Sequence, residues 1–186
     1  NFIKTYYKRK GTCVLVIDDD IEKFERANKE TIKFEEITDL HKMFQNCFLA
    51  AKNNGVNLWG VYPVRCAQWV LRFKEEFKLG WSYCIGCCYG YIVEQDMSPY
   101  MVNETAESKE DYEQSVLHCM YAGNVLRFNN ITVKTKFYAD GGLGSDKEER
   151  AKKNEKAADY LVSTYPDFFK KKVRKDGRVE VNLINS

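Results

Sequence analysis

A chain of 186 residues, 44% hydrophobic and 14% aromatic, has material for one sizeable core and reads most simply as a single domain over 1–186. Its 29 Lys and Arg against 27 Asp and Glu leave a net charge of +2, too small for an overall field that would argue nucleic-acid binding. No apolar run reaches the roughly 18 residues that cross a bilayer, and no signal peptide is seen, so membrane spanning and secretion are both disfavoured.

In chain order, residues 2–8 read as the end of a helix, and Lys4, Lys8, Arg9 and Lys10 form a local cationic block. Thr12 to Ile17 predicts a strand buried on both faces, closed by Asp18, Asp19 and Asp20. From Thr38 to Lys52 the apolar residues Leu40, Phe44, Cys47, Phe48 and Ala51 recur at helical spacing, and Asn53-Asn54-Gly55 is a stop. A short strand follows at Leu58 to Val64. Tyr83 to Val93 predicts another, whose Gly86 and Gly90 mark bulges or close backbone approach. Ser108-Lys-Glu-Asp111 matches a capping box opening a helix that Gly123 stops. Strands are predicted at Val125 to Phe128 and Ile131 to Tyr138. Gly141-Gly142-Leu143-Gly144 then precedes a charged helix from Asp146 to about Thr164, ended by Pro166. Lys175-Asp176-Gly177-Arg178 reads as a hairpin turn before a last strand, Val179 to Ile184, and follows a second cationic block, Lys170, Lys171, Lys172, Arg174 and Lys175. Alternating strands and helices make the fold class α/β, with active residues expected at strand ends.

Seven cysteines, five of them (Cys13, Cys66, Cys84, Cys87, Cys88) in or beside apolar stretches, suggest buried thiols in a reducing compartment. The setting expected is a cytoplasm, or a host's cytoplasm or nucleus for a viral chain. Cys84-Ile-Gly-Cys87-Cys88 lacks a second ligand pair and reads as structural, as do His41 and His118.

Three groups of residues could carry chemistry. Crowded carboxylates raise one another's pKa unless a cation sits among them, so Asp18 to Asp20 either point into water or hold one. An oxygen-only cluster at a strand end suits Mg²⁺ or Mn²⁺, and in an extended segment Asp18 and Asp20 share a side while Asp19 faces the other. Glu110 and Asp111, in the first turn of a helix, either complement its dipole or supply a general base. Gly141 and Gly142 before a helix carrying Arg150 and Asn154 either form an exposed loop or cradle phosphate. Arg65 is placed to face a site from a strand end. Trp59, Tyr62, Trp69 and Trp81 either fill the core or stack on bases or sugars.

Taken in order, VLVIDDD, NNGVNLWGVYPVR, CIGCCYGYI, KEDYEQSVLHCMYAGNVLRFNNI and YADGGLG followed by a helix and YPDFF resemble the TET-associated glycosyltransferases. These are GT-A-type enzymes of phages, large DNA viruses and kinetoplastids that attach sugar to hydroxymethylated bases in DNA. The resemblance runs from Asn1 to about Phe169. It implies a Rossmann-related mixed sheet flanked by helices, in a piece lacking part of the N-terminal nucleotide-binding half. It also implies a UDP-sugar donor such as UDP-glucose, and Mn²⁺ or Mg²⁺ bridging its diphosphate to Asp18 and Asp20. Asp19, Gly141, Gly142 and Arg150 would assist donor binding. Asp111 matches the acidic position that serves as base, with Glu110 second, and Trp59, Tyr62 and Arg65 would face the acceptor, DNA containing 5-hydroxymethyluracil or 5-hydroxymethylcytosine. Two other readings stay open: a related transferase acting on protein or glycan, and a non-catalytic DNA-binding or assembly module of the same fold.

Overall fold

The computed structural model describes residues 1–66, 70, 72–135, 147–175 and 177–184. They form a mixed α/β structure in which a mixed sheet is flanked by helices. The large sheet has strand order β1-β6-β4-β7-β5, with β1 Cys13–Ile17, β4 Leu58–Val61, β5 Phe77–Gly80, β6 Cys88–Ile92 and β7 Val125–Phe128. β4 and β7 run parallel; the other neighbours pair antiparallel. A small sheet of order β3-β2-β8 holds β2 Ile21–Asn28, β3 Lys33–Glu36 and β8 Ile131–Thr135, and β9 Phe169–Val173 with β10 Val179–Leu183 makes a separate two-stranded ribbon. The helices are α1 Phe2–Tyr6, α2 Leu40–Asn53, α3 Glu110–Ala122 and α4 Lys147–Thr164.

Strand alternation sorts the large sheet into two faces. Trp59, Val61, Cys88, Ile92, Leu126 and Phe128 point toward α2, which contributes Met43, Cys47 and Ala51. Leu58, Tyr91, Val125 and Val14 point to the opposite face, where Cys119 and Ala122 of α3 pack. A third cluster joins α3 to α4 and the ribbon through Val116, Ala158, Leu161, Phe169 and Val181. The register sets Trp59 against Gly90, and a Cβ at Gly90 would lie 2.4 Å from the indole, so only glycine admits the ring there. Gly90 is thus one of the close approaches that its place in an apolar strand suggested.

The predicted helices at residues 38–52 and 146–164 form as α2 and α4 within a few residues. Asp39 caps α2 by accepting from the Lys42 N–H at 3.0 Å, and Gly55 follows at φ 65°. Some expectations change. β1 is an edge strand with Val14 alone fully buried and Ile17 42% exposed, so it is not covered on both faces, and Cys13 is exposed. The capping box does not form: Ser108 Oγ donates to the Lys153 carbonyl at 3.2 Å, because residues Glu104–Lys109 already wind as a 3₁₀ turn capped by Asn103, whose side chain accepts from Thr105 N–H at 2.9 Å. The cationic stretch from Lys170 forms most of β9, where Lys171 meets Asp159 at 2.6 Å and Glu155 at 3.3 Å, and Arg174 meets Glu180 at 2.6 Å. Among the described residues no helix is long and apolar enough to cross a membrane.

Candidate active site

β1 ends at Ile17 opposite Cys88, and the Asp18 N–H extends the ladder by donating to the Cys87 carbonyl at 2.9 Å. Asp19 and Asp20 then form a turn that carries the chain from the large sheet into β2 of the small one. The three acids therefore sit at a sheet-to-sheet crossing, in a turn instead of the extended segment assumed from sequence. Asp18 and Asp19 are exposed. Asp20 is half-buried, and its Oδ1 is enclosed with no hydrogen-bond partner. Although Asp18 is exposed as a residue, partial desolvation of its carboxyl pushes it above its ordinary range, and Asp20, Asp19 and Asp111 push it further. Among the described residues no Lys or Arg makes an ion pair with any of the three.

Asp111 reaches the same place from the first turn of α3. Its Oδ2 accepts from the Gly86 N–H at 3.1 Å and, in a short hydrogen bond, from the Tyr83 hydroxyl; its Oδ1 accepts from the Tyr112 N–H at 3.0 Å. Tyr83 stacks on Tyr112 with ring centres 4.3 Å apart, which fixes the phenol. A Cβ at Gly86 would lie 3.4 Å from the Asp111 carboxyl, so this second glycine also marks a close approach. Asp18 and Asp111 thus anchor to neighbouring residues of one loop, Cys87 and Gly86. Burial raises the Asp111 carboxyl more than its three donors lower it, the direction that improves a general base working near neutral pH. Burial and the Asp111 charge also raise Glu110.

Behind this edge lies a cavity of ≈ 300 Å³ whose wall includes Lys4, Val16, Gly86, Tyr91, Asp111 and Gln114. Lys4 is 5% exposed, donates from Nζ to the Tyr100 carbonyl at 2.6 Å, and is pulled down to about 8 by burial, against the opposing pull of Glu110 and Glu113. Sequence reading assigned no role to Lys4, Tyr83 or Tyr91. Gly86 carried a usable signal, a glycine inside an apolar strand pattern, but nothing in the sequence tied it to Asp111, 25 residues away.

The other expected positions lie elsewhere. Trp59 is wholly buried among Phe44, Phe48 and Phe128, so no ring face is left for an acceptor. Tyr62 is 7% exposed, with Arg127 over its ring and Phe73 against its edge. Arg65 forms a forked pair with the buried Glu25 of β2, and Lys23 adds a contact to Glu25 at 3.1 Å. Core packing takes up Trp59 and Tyr62, and the exposed Arg65 is engaged by Glu25, so the three do not present a common acceptor face. Trp81 donates to the Ile184 carbonyl at 2.9 Å and packs on Phe168 and Phe169. Arg150 is exposed near the start of α4, and Asn154 donates to the Val179 carbonyl at 2.6 Å. Gly141, Gly142 and Trp69 lie outside the described residues. His118 is buried, shares a 2.7 Å hydrogen bond with Asn57, and is held neutral by burial and by Lys4.

Two hard carboxylates, Asp18 and Asp20, the latter with an enclosed and unpaired oxygen, suit a divalent cation in donor chemistry. Among the described residues no group of three or more His, Cys, Asp or Glu is placed to hold a metal ion. No family model, curated protein or solved structure matches this chain.

Proposed function

We propose that the chain is a metal-dependent glycosyltransferase of GT-A type, moving a sugar from a UDP-sugar to the hydroxyl of a 5-hydroxymethylpyrimidine in DNA. The observation that carries the reading is that the Asp18 N–H and the Asp111 carboxylate bond to neighbouring residues of one loop, Cys87 and Gly86, with Asp20 and its unpaired oxygen following Asp18 in the same turn. The order of sequence motifs supports the donor and acceptor classes.

In this reading Asp18 and Asp20 hold the cation. When bound, Mg²⁺ or Mn²⁺ offsets charge on the departing nucleoside diphosphate. Asp111 takes the proton of the acceptor hydroxyl as that oxygen attacks the anomeric carbon, and the bond from that carbon to the diphosphate breaks, its electron pair leaving with the nucleotide. Tyr83 and the Gly86 N–H hold one Asp111 oxygen in place. They keep the carboxylate oriented, while burial keeps it basic. Incubation with UDP-glucose, Mn²⁺ and duplexes carrying 5-hydroxymethyluracil or 5-hydroxymethylcytosine, read by the mass of the released nucleosides, tests the assignment. Sugar should appear on the modified base alone, and both Asp20→Ala and Asp111→Ala should abolish it. Undiminished transfer in those variants refutes the proposal.

A further inference from the structure

On the face of the large sheet against which α3 packs, the register lines up Val16, Tyr89, Gly60, Arg127 and Lys78, one residue from each strand. The row ends on two cations directly opposite each other on β7 and β5, a pairing of like charge that costs stability. Among the described residues no Asp or Glu forms an ion pair with Arg127 or Lys78. The chain has 27 Asp and Glu, and it meets Arg65 with one of them, Glu25.

Arg127 is held in place without being used up. Its guanidinium lies 5.0 Å from the centre of the Tyr62 ring and 5.7 Å from that of Phe73, and the two rings meet edge-on at 5.2 Å. Nε and Nη2 share one acceptor, the Asn129 side-chain oxygen, at 3.3 and 3.2 Å, and the Asn129 N–H is tied to the Glu76 carbonyl at 2.7 Å. Nη1 and the Lys78 ammonium take no acceptor among the described residues, yet neither is sealed from solvent. A guanidinium fixed by rings and one amide, with a free edge beside a lysine, presents convergent donors to an oxyanion. Burial pulls both groups below their ordinary range, and the Arg127 charge pulls Lys78 further, a strain that an anion relieves.

The position suits a ligand and is separate from the acid turn. β4 and β7 run parallel, and Arg127 lies one residue before the carboxyl end of β7, the end at which such strands take ligands. From β1 to β7 there are three strand spacings, about 14 Å, and β5 lies one further out. A cation at Asp18 and Asp20 would contact its own phosphate at about 2 Å, so the two places cannot share one phosphate group.

We infer that Arg127 and Lys78 form a second, metal-independent anion site that takes a phosphate group, with Arg127 gripping it through the free guanidinium edge and Lys78 adding a point charge. The site stands whether or not the chain transfers sugar.

Titration of inorganic phosphate into the chain, with donor and divalent ion absent and ionic strength held by sodium chloride, tests this through the Arg127 Nε–H resonance, identified by its loss in Arg127→Lys. The resonance should shift saturably with phosphate. Lys78→Met should weaken binding by about tenfold, the worth of one hydrogen bond to a charged group. Arg127→Lys keeps the charge but loses the fork, and phosphate should no longer stabilise it in urea. Asp18→Asn with Asp20→Asn should bind phosphate as the parent does. Without phosphate, Lys78→Met removes a facing like charge, so its urea midpoint should not fall. Methyl phosphate binding as tightly assigns the site to a phosphate ester, and binding of inorganic phosphate alone assigns it to the free anion. A shift that does not saturate, undiminished affinity in Lys78→Met, or loss of phosphate binding in the double aspartate variant overturns the inference.

Discussion

Glu25 and Asp20 lie on one continuous segment, and the fold treats their carboxyl groups in opposite ways. Glu25 is 1% exposed and is gripped by Arg65 and Lys23, whose hydrogen bonds hold it below its ordinary range despite burial. Asp18 and Asp20, at the turn that leads into β2, have no such cation among the described residues, and Asp18 is pushed up by burial and by neighbouring acids. The chain has 29 Lys and Arg, so a shortage of positive charge does not explain the contrast. A buried acid in a structural role is paired, as Glu25 is. Acids crowded without a partner repel one another, and under the proposed function an incoming cation would relieve that repulsion.

The contrast can be broken at several strengths. The largest effect is expected at Asp111: Asp111→Asn keeps an oxygen for Tyr83 and Gly86 but cannot take a proton, so sugar transfer should fall by about 10²–10⁴ with donor binding retained. Single-turnover assays with hydroxymethylated duplex check this. Next, Mn²⁺ at about 100 times its dissociation constant should stabilise the parent chain by about 2.7 kcal/mol in urea titrations, an effect absent from Asp18→Asn with Asp20→Asn. Without metal, that double substitution should leave stability unchanged or slightly raised. Arg65→Met should do the opposite, costing about 1–3 kcal/mol by the same measurement, because it strips a charge partner from the buried Glu25.

The smallest effect is the shape of stability against pH. Asp18 and Asp111 keep their protons above the ordinary 3.8 in the folded chain, so the folded state binds more protons there and stability falls as pH rises through that window. Glu25 has the opposite sign: its contribution is present above its unfolded value of 4.5 and is lost as pH falls through the lowered folded value. Asp111→Asn should flatten the decline above about pH 4, and Arg65→Met should blunt the loss below it, both read from urea midpoints across pH.

What sequence made visible follows from where the determinants lie. α2, β7 and the Gly123 stop of α3 are encoded by local periodicity and by residues that end an element, and they appear where expected. β2 and β9 were invisible because half or more of their residues are charged. β2 carries Glu22, Lys23, Glu25 and Arg26, tolerated because Lys134 meets Glu22 at 2.6 Å and Lys23 meets Glu36 at 3.8 Å across the strands. β9 shows one buried residue, Phe169. In the site, Asp18, Asp20 and Asp111 could be picked out by residue type and position. Tyr83 and the Gly86 amide could not be tied to Asp111, because that contact spans 25 to 28 residues and depends on how the loop before β6 meets α3. Trp59 was misread for the same reason, since its pairing with Gly90 is a matter of register.

The central claim, that the unpaired acids at the β1–β2 crossing bind a metal-bridged nucleotide, is tested most directly by calorimetric titration of UDP into the chain with Mn²⁺ and with the ion chelated. Binding should require Mn²⁺, vanish in Asp18→Asn with Asp20→Asn, and persist in Asp111→Asn. Equal UDP affinity with the ion chelated, or undiminished affinity in the double variant, contradicts it.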